Sequence, residues 1–155
     1  MAGGGSAPTW AGGRLTLDSA YIRSQASLAA GARAMEFRAR LRASAQDTGW
    51  GSFGLGRQSL PYGATAGFAH RLFETDNVSQ LYATSRDGSA AGSFPTIAGV
   101  DLAAWHTYRV EWGAASTQYF IDGVLQQTFA GTAATSAWAW FYTADPGSQV
   151  EVDWV

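Results

Sequence analysis

Cysteine and lysine are both absent from the 155 residues, and histidine appears only twice, at His70 and His106. Without cysteine there is no disulfide scaffold, no thiol nucleophile and no cysteine-ligated zinc or iron–sulfur site. Without lysine there is no Schiff-base chemistry, no catalytic lysine and no P-loop phosphate clamp. Arginine alone supplies the 10 basic side chains, as a GC-rich genome would give. Two histidines so far apart in sequence do not make a histidine-rich metal cage. Charge is also scarce, at 14% of residues with a net value of −2, which leaves no electrostatic footprint for nucleic acid. No run of about 18 apolar residues exists, so no membrane-spanning helix is expected. The opening Met1–Ser6 lacks the charged and apolar regions of a signal peptide and reads as a flexible linker. The compartment is therefore not written in the chain.

What is present points to sheets. Aromatic residues reach 14%, with 7 Trp, and glycine stands at 19; aromatic, Gly and Ser/Thr enrichment suits strands and tight turns. A chain of this length makes one domain that buries a real core without covalent staples. Alternation is nearly continuous and helical periodicity nearly missing. Strand signals run through Arg14–Asp18, Ala20–Ser24, Met35–Arg42, Trp50–Gly56, Phe68–Glu74 and Val78–Ser85, then His106–Trp112, Thr117–Ile121, Val124–Phe129, Trp138–Ala144 and Gln149–Val155. Met35, Phe37, Ala39 and Leu41 share an inward face, while Glu36, Arg38, Arg40 and Arg42 form a solvated or cross-strand-paired one. Asp76-Asn77 and Asp122-Gly123 read as two-residue hairpin turns. Ala26–Ala34 has the composition for one helical turn, which Gly31 and its short length oppose; Asp87–Val100 reads as a surface loop. About ten short strands with turns every eight to twelve residues predict an all-β sandwich. The expected organisation is a tail over residues 1–9 and a single domain over 10–155.

Three stretches are more specific: Trp105-His-Thr-Tyr-Arg-Val-Glu-Trp112, Tyr119-Phe-Ile-Asp-Gly-Val124 and Val150-Glu-Val-Asp-Trp-Val155. With Met35–Leu41 and Trp50–Leu55 upstream, their order resembles the concanavalin A-like lectin/glucanase superfamily. The similarity is to glycoside hydrolase family 16 and its non-catalytic bacterial, laminin-G-like relatives, from about residue 14 onward. The resemblance implies a jelly roll of two antiparallel sheets, one of them concave. It also implies a strand carrying Glu-x-Asp-x-x-Glu, whose acids attack the anomeric carbon and protonate the leaving oxygen. The corresponding strand here is Gly67–Asp76, and laying the motif on it puts Phe68, His70 and Phe73 where the acids belong. A shifted register gives Glu74-x-Asp76, followed by Ser79. No glycosidase turnover is expected.

Should the concave face persist as a ligand groove, alternation nominates Phe68, His70 and Leu72 on one strand. Gln80, Tyr82, Thr84 and Arg86 would line its hairpin partner, and Trp138, Trp140 and Tyr142 the penultimate strand. Aromatic faces with amide, hydroxyl and guanidinium donors suit sugars. Alternating tryptophans also fill sandwich cores, so Trp138 and Trp140 have two readings. His106 reads as structural. By resemblance, Asp153 is a candidate ligand of a structural calcium, which wants six to eight oxygens; an exposed sheet aspartate is the alternative. No other cofactor is expected.

The leading functional expectation is a non-catalytic carbohydrate-binding module with a polysaccharide or glycan partner, belonging to a modular secreted or cell-surface bacterial protein with further domains. The chain starts without the family's first strand and stops before its usual finish, which is the reason for expecting a modular parent. The alternatives are a spacer or interaction domain without ligand, and a divergent hydrolase or lyase using His70 with Tyr82.

Overall fold

The computed structural model describes residues 7–29, 31–42, 51–56, 70–75, 80–86, 93, 95–131, 137–143 and 149–154. Thirteen strands run in chain order: β1 (Thr9–Ala11), β2 (Arg14–Asp18), β3 (Tyr21–Arg23), β4 (Arg33–Arg42), β5 (Gly51–Gly56), β6 (His70–Thr75), β7 (Leu81–Arg86), β8 (Thr96–Ile97), β9 (His106–Trp112), β10 (Ser116–Ile121), β11 (Val124–Ala130), β12 (Trp138–Thr143) and β13 (Gln149–Trp154). They form two antiparallel sheets. One has seven strands in the order β1-β2-β13-β4-β9-β10-β11, the other six in the order β3-β12-β5-β6-β7-β8. Among the described residues there is no helix, and the expected all-β sandwich is what the chain adopts.

Period-two patterning decides which sheet face turns inward. From the seven-stranded sheet come Leu15 and Leu17, Met35 to Leu41 in alternation, Tyr108, Val110 and Trp112, Tyr119 and Ile121, and Val150 and Val152. Phe53, Leu55, Phe73, Leu81, Ala83 and Phe141 meet them from the six-stranded sheet. Phe37 is the hub. Its ring meets Phe53 edge-on at 5.3 Å and Phe141 at 4.9 Å, and stacks on Tyr108 at 5.4 Å. Polar groups also bridge the sheets. Tyr119 donates its hydroxyl to the Thr84 carbonyl at 2.5 Å, and burial pushes that phenol's pKa far up, with the Glu74 charge adding to it. Arg71 is fully buried, lies 4.5 Å over the Trp112 ring and donates to Thr117 Oγ1 at 2.9 Å. Removing a partner from such a buried polar link leaves the other desolvated, which costs about 1–3 kcal/mol.

Several sequence expectations need correcting. Asp122-Gly123 is a true two-residue turn, with Ile121 opposite Val124 and positive φ at both turn residues (50° and 78°), the geometry that matches hairpin twist. The described pairing of β6 with β7 runs from His70 opposite Arg86 to Thr75 opposite Leu81; the expected Asp76-Asn77 turn lies outside the described residues. Residues 26–29 make no helical turn. Leu28 bridges Ala137 through two backbone hydrogen bonds of 2.6 and 3.3 Å, which hold the segment extended. β1 begins at Thr9, inside the expected tail, and β8 lies within the expected 87–100 loop. Both are too short to show a period.

Candidate functional site

The register of the six-stranded sheet lays three rows of residues across its outer face. One row runs Tyr21–Tyr142–Ser52–Glu74–Tyr82–Thr96. The middle row is Arg23–Trp140–Gly54–Leu72–Thr84, and the third is Trp138–Gly56–His70–Arg86. The alternate residues on the same strands, Phe53, Phe73, Ala83 and Phe141, point into the core, so these rows face away from it. Of the residues nominated from sequence, His70, Tyr82, Trp138, Trp140 and Tyr142 thus share one face. Arg86 holds a position on it, but its side chain lies outside the described set, as does all of Phe68. Gln80 is exposed just before β7 and accepts the Tyr82 hydroxyl hydrogen bond at 2.6 Å.

The face is not uniformly open. Along its middle Leu72, Trp140 and Thr84 are 1%, 2% and 0% exposed, and His70 beside them 5%. Trp140 lies against the backbone of β5: a Cβ on Gly56 would come within 2.5 Å of its Nε1. Glycine there lets a large ring lie flat on the sheet. Thr84 donates its hydroxyl to the Leu72 carbonyl at 3.2 Å, tying the middle row across β6 and β7. Accessibility returns in the first row, apart from the buried Ser52, and at the sheet edge. Tyr21 is 47% exposed; Tyr142, Glu74, Tyr82 and Trp138 are half-buried; Arg23 and Thr96 are exposed. The Arg23 guanidinium carbon lies 5.8 Å from the centre of the Trp138 ring.

One expectation changes on these facts. Phe73 is fully buried and packs edge-on to Tyr119 at 5.3 Å; it is not on the outer face. β6 pairs with both neighbours without a register break, so strict alternation puts His70, Leu72 and Glu74 outward. The motif as laid on the sequence needs an irregular strand to bring its third position round. Glu74 is then the single carboxylate on this face among the described residues. Asp153 stands elsewhere, on the outer face of the seven-stranded sheet, and accepts a hydrogen bond from Arg38 Nη1 at 2.6 Å. A calcium ion there would have to displace that guanidinium. The described residues hold no cluster of three His, Cys, Asp or Glu side chains. His106 sits at the start of β9 with its Nδ1 at 2.6 Å from Asp122 Oδ2 and its Nε2 at 3.0 Å from the Asp101 carbonyl. The Thr107 amide donates to the other Asp122 oxygen at 2.9 Å. The hydrogen bond from His106, then that from Thr107, holds the Asp122 carboxyl below its ordinary range. This cluster pins the β10–β11 turn, far from the aromatic rows.

Sequence reasoning missed Tyr21, Arg23 and Glu74 as members of the face. The alternation of Ala20–Ser24 puts Tyr21 and Arg23 on one side, but nothing local says that β3 pairs with β12.

No protein-family model and no curated protein sequence matches the chain. Among solved structures it is similar to the Bacillus licheniformis β-glucanase, at 11% identity and a TM-score of 0.72 over 95% of this chain and 79% of that one. A β-1,3-glucanase from Mycobacterium marinum superposes with a TM-score of 0.68 at 17% identity, covering 91% of this chain and 72% of that one. The Emp46p carbohydrate recognition domain gives 0.70 at 10% identity, covering 95% and 83%. The fold is the concanavalin A-like jelly roll that these glucanases and this lectin domain share.

Proposed function

We propose that the chain is a non-catalytic glycan-binding domain that holds its ligand on the outer face of the six-stranded sheet, along the Tyr21–Tyr142–Glu74–Tyr82 row. The observation that carries this reading is the row itself. Tyr21 and Tyr142 toward one end of a single sheet row and Tyr82 toward the other remain partly accessible, with Glu74 and the Gln80–Tyr82 pair supplying hydrogen-bonding groups between and beside them. Sugar rings stack their C–H faces on such aromatics and hydrogen-bond through their hydroxyls. The absence of turnover is part of the proposal. Retaining hydrolysis needs two carboxyl groups about 5–5.5 Å apart, whereas His70 and Leu72 occupy the outward β6 positions before Glu74. A similar fold in a carbohydrate recognition domain and in glucanases agrees with a glycan partner. A secreted or cell-surface setting and a multidomain parent belong to the same proposal.

One observation favours the second reading, a spacer without ligand: Trp140, Leu72 and Thr84 of the middle row are buried, so the centre of the face is filled. The test is a glycan array followed by titration calorimetry. The proposal expects a Kd between micromolar and millimolar, since each exposed stacking ring contributes on the order of 1 kcal/mol beyond area burial. Sustained release of reducing ends from a bound glycan, abolished by Glu74→Gln, would contradict the non-catalytic part. An array with no hit would favour the spacer.

A further inference from the structure

We propose that Arg23 reads the negative charge of an acidic glycan, a uronate carboxylate or a sulfate ester, whose sugar ring stacks on Tyr21 and Tyr142. This inference rests on the glycan reading of the same face and narrows its ligand class. Three observations carry it. The first is pairing. Arg38, Arg40 and Arg109 on the opposite sheet each have a carboxylate partner, namely Asp153, Glu151 and the Glu36/Glu111 pair, while Arg14 there shares the Trp105 ring with Arg38 and Arg40. Among the described residues no carboxylate lies within ion-pair distance of Arg23, whose recorded contact is with the Trp138 ring. A single-face guanidinium–aromatic contact restrains the guanidinium group while leaving its N–H fork free for a planar or tetrahedral anion.

The second observation is placement. Arg23 follows Tyr21 by two residues on the edge strand β3, so both side chains point to the same face, and Tyr142 is the direct cross-strand partner of Tyr21. Residues two apart on a strand are about 7 Å from each other and neighbouring strands about 4.8 Å. Those are the dimensions of one sugar ring and its substituent. Being exposed and on an edge strand, Arg23 is open to an incoming ligand.

The third is the position of the one acid. β3 and β6 are separated by β12 and β5, so Glu74 stands three strand spacings from Arg23, about 14 Å by the same interstrand distance. That exceeds the screening length of about 8 Å at physiological salt, and Glu74 does not neutralise the Arg23 end.

The experiment measures binding of the whole chain to three probes by affinity electrophoresis and calorimetry: galacturonate oligosaccharides, sulfated galactan oligosaccharides and neutral galactan oligosaccharides. The expected result is tighter binding, by about tenfold, of at least one anionic probe over the neutral one at low salt. Which anionic probe is preferred identifies the source of the charge. The preference should shrink between about 0.01 M and about 1 M salt, where the screening length falls from about 30 Å to about 3 Å. R23A should abolish the preference while leaving neutral binding within about twofold, and R23K should keep part of it, because a point charge remains but the fork is gone. Melting temperatures of both variants should match the parent, as expected for an exposed edge residue. Equal binding of all three probes by the parent chain, or an undiminished preference in R23A, overturns the inference and leaves the glycan reading standing. Binding of none of the three also overturns this inference, and the glycan reading then stands or falls on the array.

Discussion

The two outer faces of the sandwich are built on the same pleat from the same chain, yet they carry opposite chemistry. On the seven-stranded sheet, Arg40 donates to Glu151 Oε2 through Nε and Nη2 at 3.0 and 2.8 Å, Arg38 meets Asp153 at 2.6 Å, and Arg109 lies between Glu36 and Glu111. Arg14, Arg38 and Arg40 also place their guanidinium carbons within 5.2 Å of the Trp105 ring centre. Arg38, Arg40 and Arg109 each meet a carboxylate, Arg14 meets the Trp105 ring alone, and that ring is already covered. On the six-stranded sheet, tyrosines and tryptophans replace the charge ladder, and among the described residues one carboxylate is present and none lies beside Arg23. Mostly paired charges describe a face that is largely complete in water; accessible aromatics beside a cation are what the glycan proposal builds on.

The sharpest way to break this contrast is to empty the aromatic face. Trp140→Ala removes a side chain only 2% exposed, and the expected loss is about 3–5 kcal/mol of stability, the usual range for a buried tryptophan. Chemical denaturation measures it. A loss below about 1 kcal/mol would mean that the ring is not packed on the sheet as described. Gly56→Ala should cost less, about 1–3 kcal/mol, because a Cβ there must push the same ring aside. The change should appear both in the denaturation midpoint and in the tryptophan fluorescence of the native state.

On the charged face the effects should be smaller. A double-mutant cycle on Arg40 and Glu151, whose side chains are 22% and 11% exposed, should give a coupling of about 1 kcal/mol, weaker at high salt. The smallest effect belongs to Asp122. Its carboxyl pKa is depressed in the folded chain, first by the hydrogen bond from His106 and then by the Thr107 amide. A depressed folded pKa stabilises the protein above the unfolded value, near 3.9, and that contribution is lost as pH falls through the folded one. The parent chain should therefore lose stability below about pH 4 more steeply than Asp122→Asn. Parallel acid-denaturation curves would show that the cluster at the β10–β11 turn contributes nothing through its charge.

Much of this was legible in the sequence, for physical reasons. Alternation in His106–Trp112 and Met35–Arg42 reports which side chains are buried, because one face of each strand packs on the core. Asp122-Gly123 is readable because the turn needs positive φ at both residues. The shared face of Trp138, Trp140 and Tyr142 follows from the same period of two. What was not legible is non-local. That β3 docks on β12, bringing Tyr21 and Arg23 to the aromatic rows, depends on a pairing across more than a hundred residues. The burial of His70 and Trp140 on an outward face has no periodic signature. Phe73 was misplaced because a motif was laid down by residue count, whereas the unbroken register of β6 decides the direction of each side chain.

The measurement that bears most directly on the account is glycan affinity in two paired variants, one on each face. Tyr82→Ala with Tyr142→Ala removes two of the accessible aromatics of the six-stranded sheet; Arg38→Ala with Arg40→Ala dismantles the charge ladder of the other. Calorimetric titration with a glycan selected from the array should show affinity falling at least tenfold, about 1.4 kcal/mol, in the tyrosine pair and staying within about twofold in the arginine pair. Binding that survives the tyrosine pair, or that is lost equally in both, would contradict it.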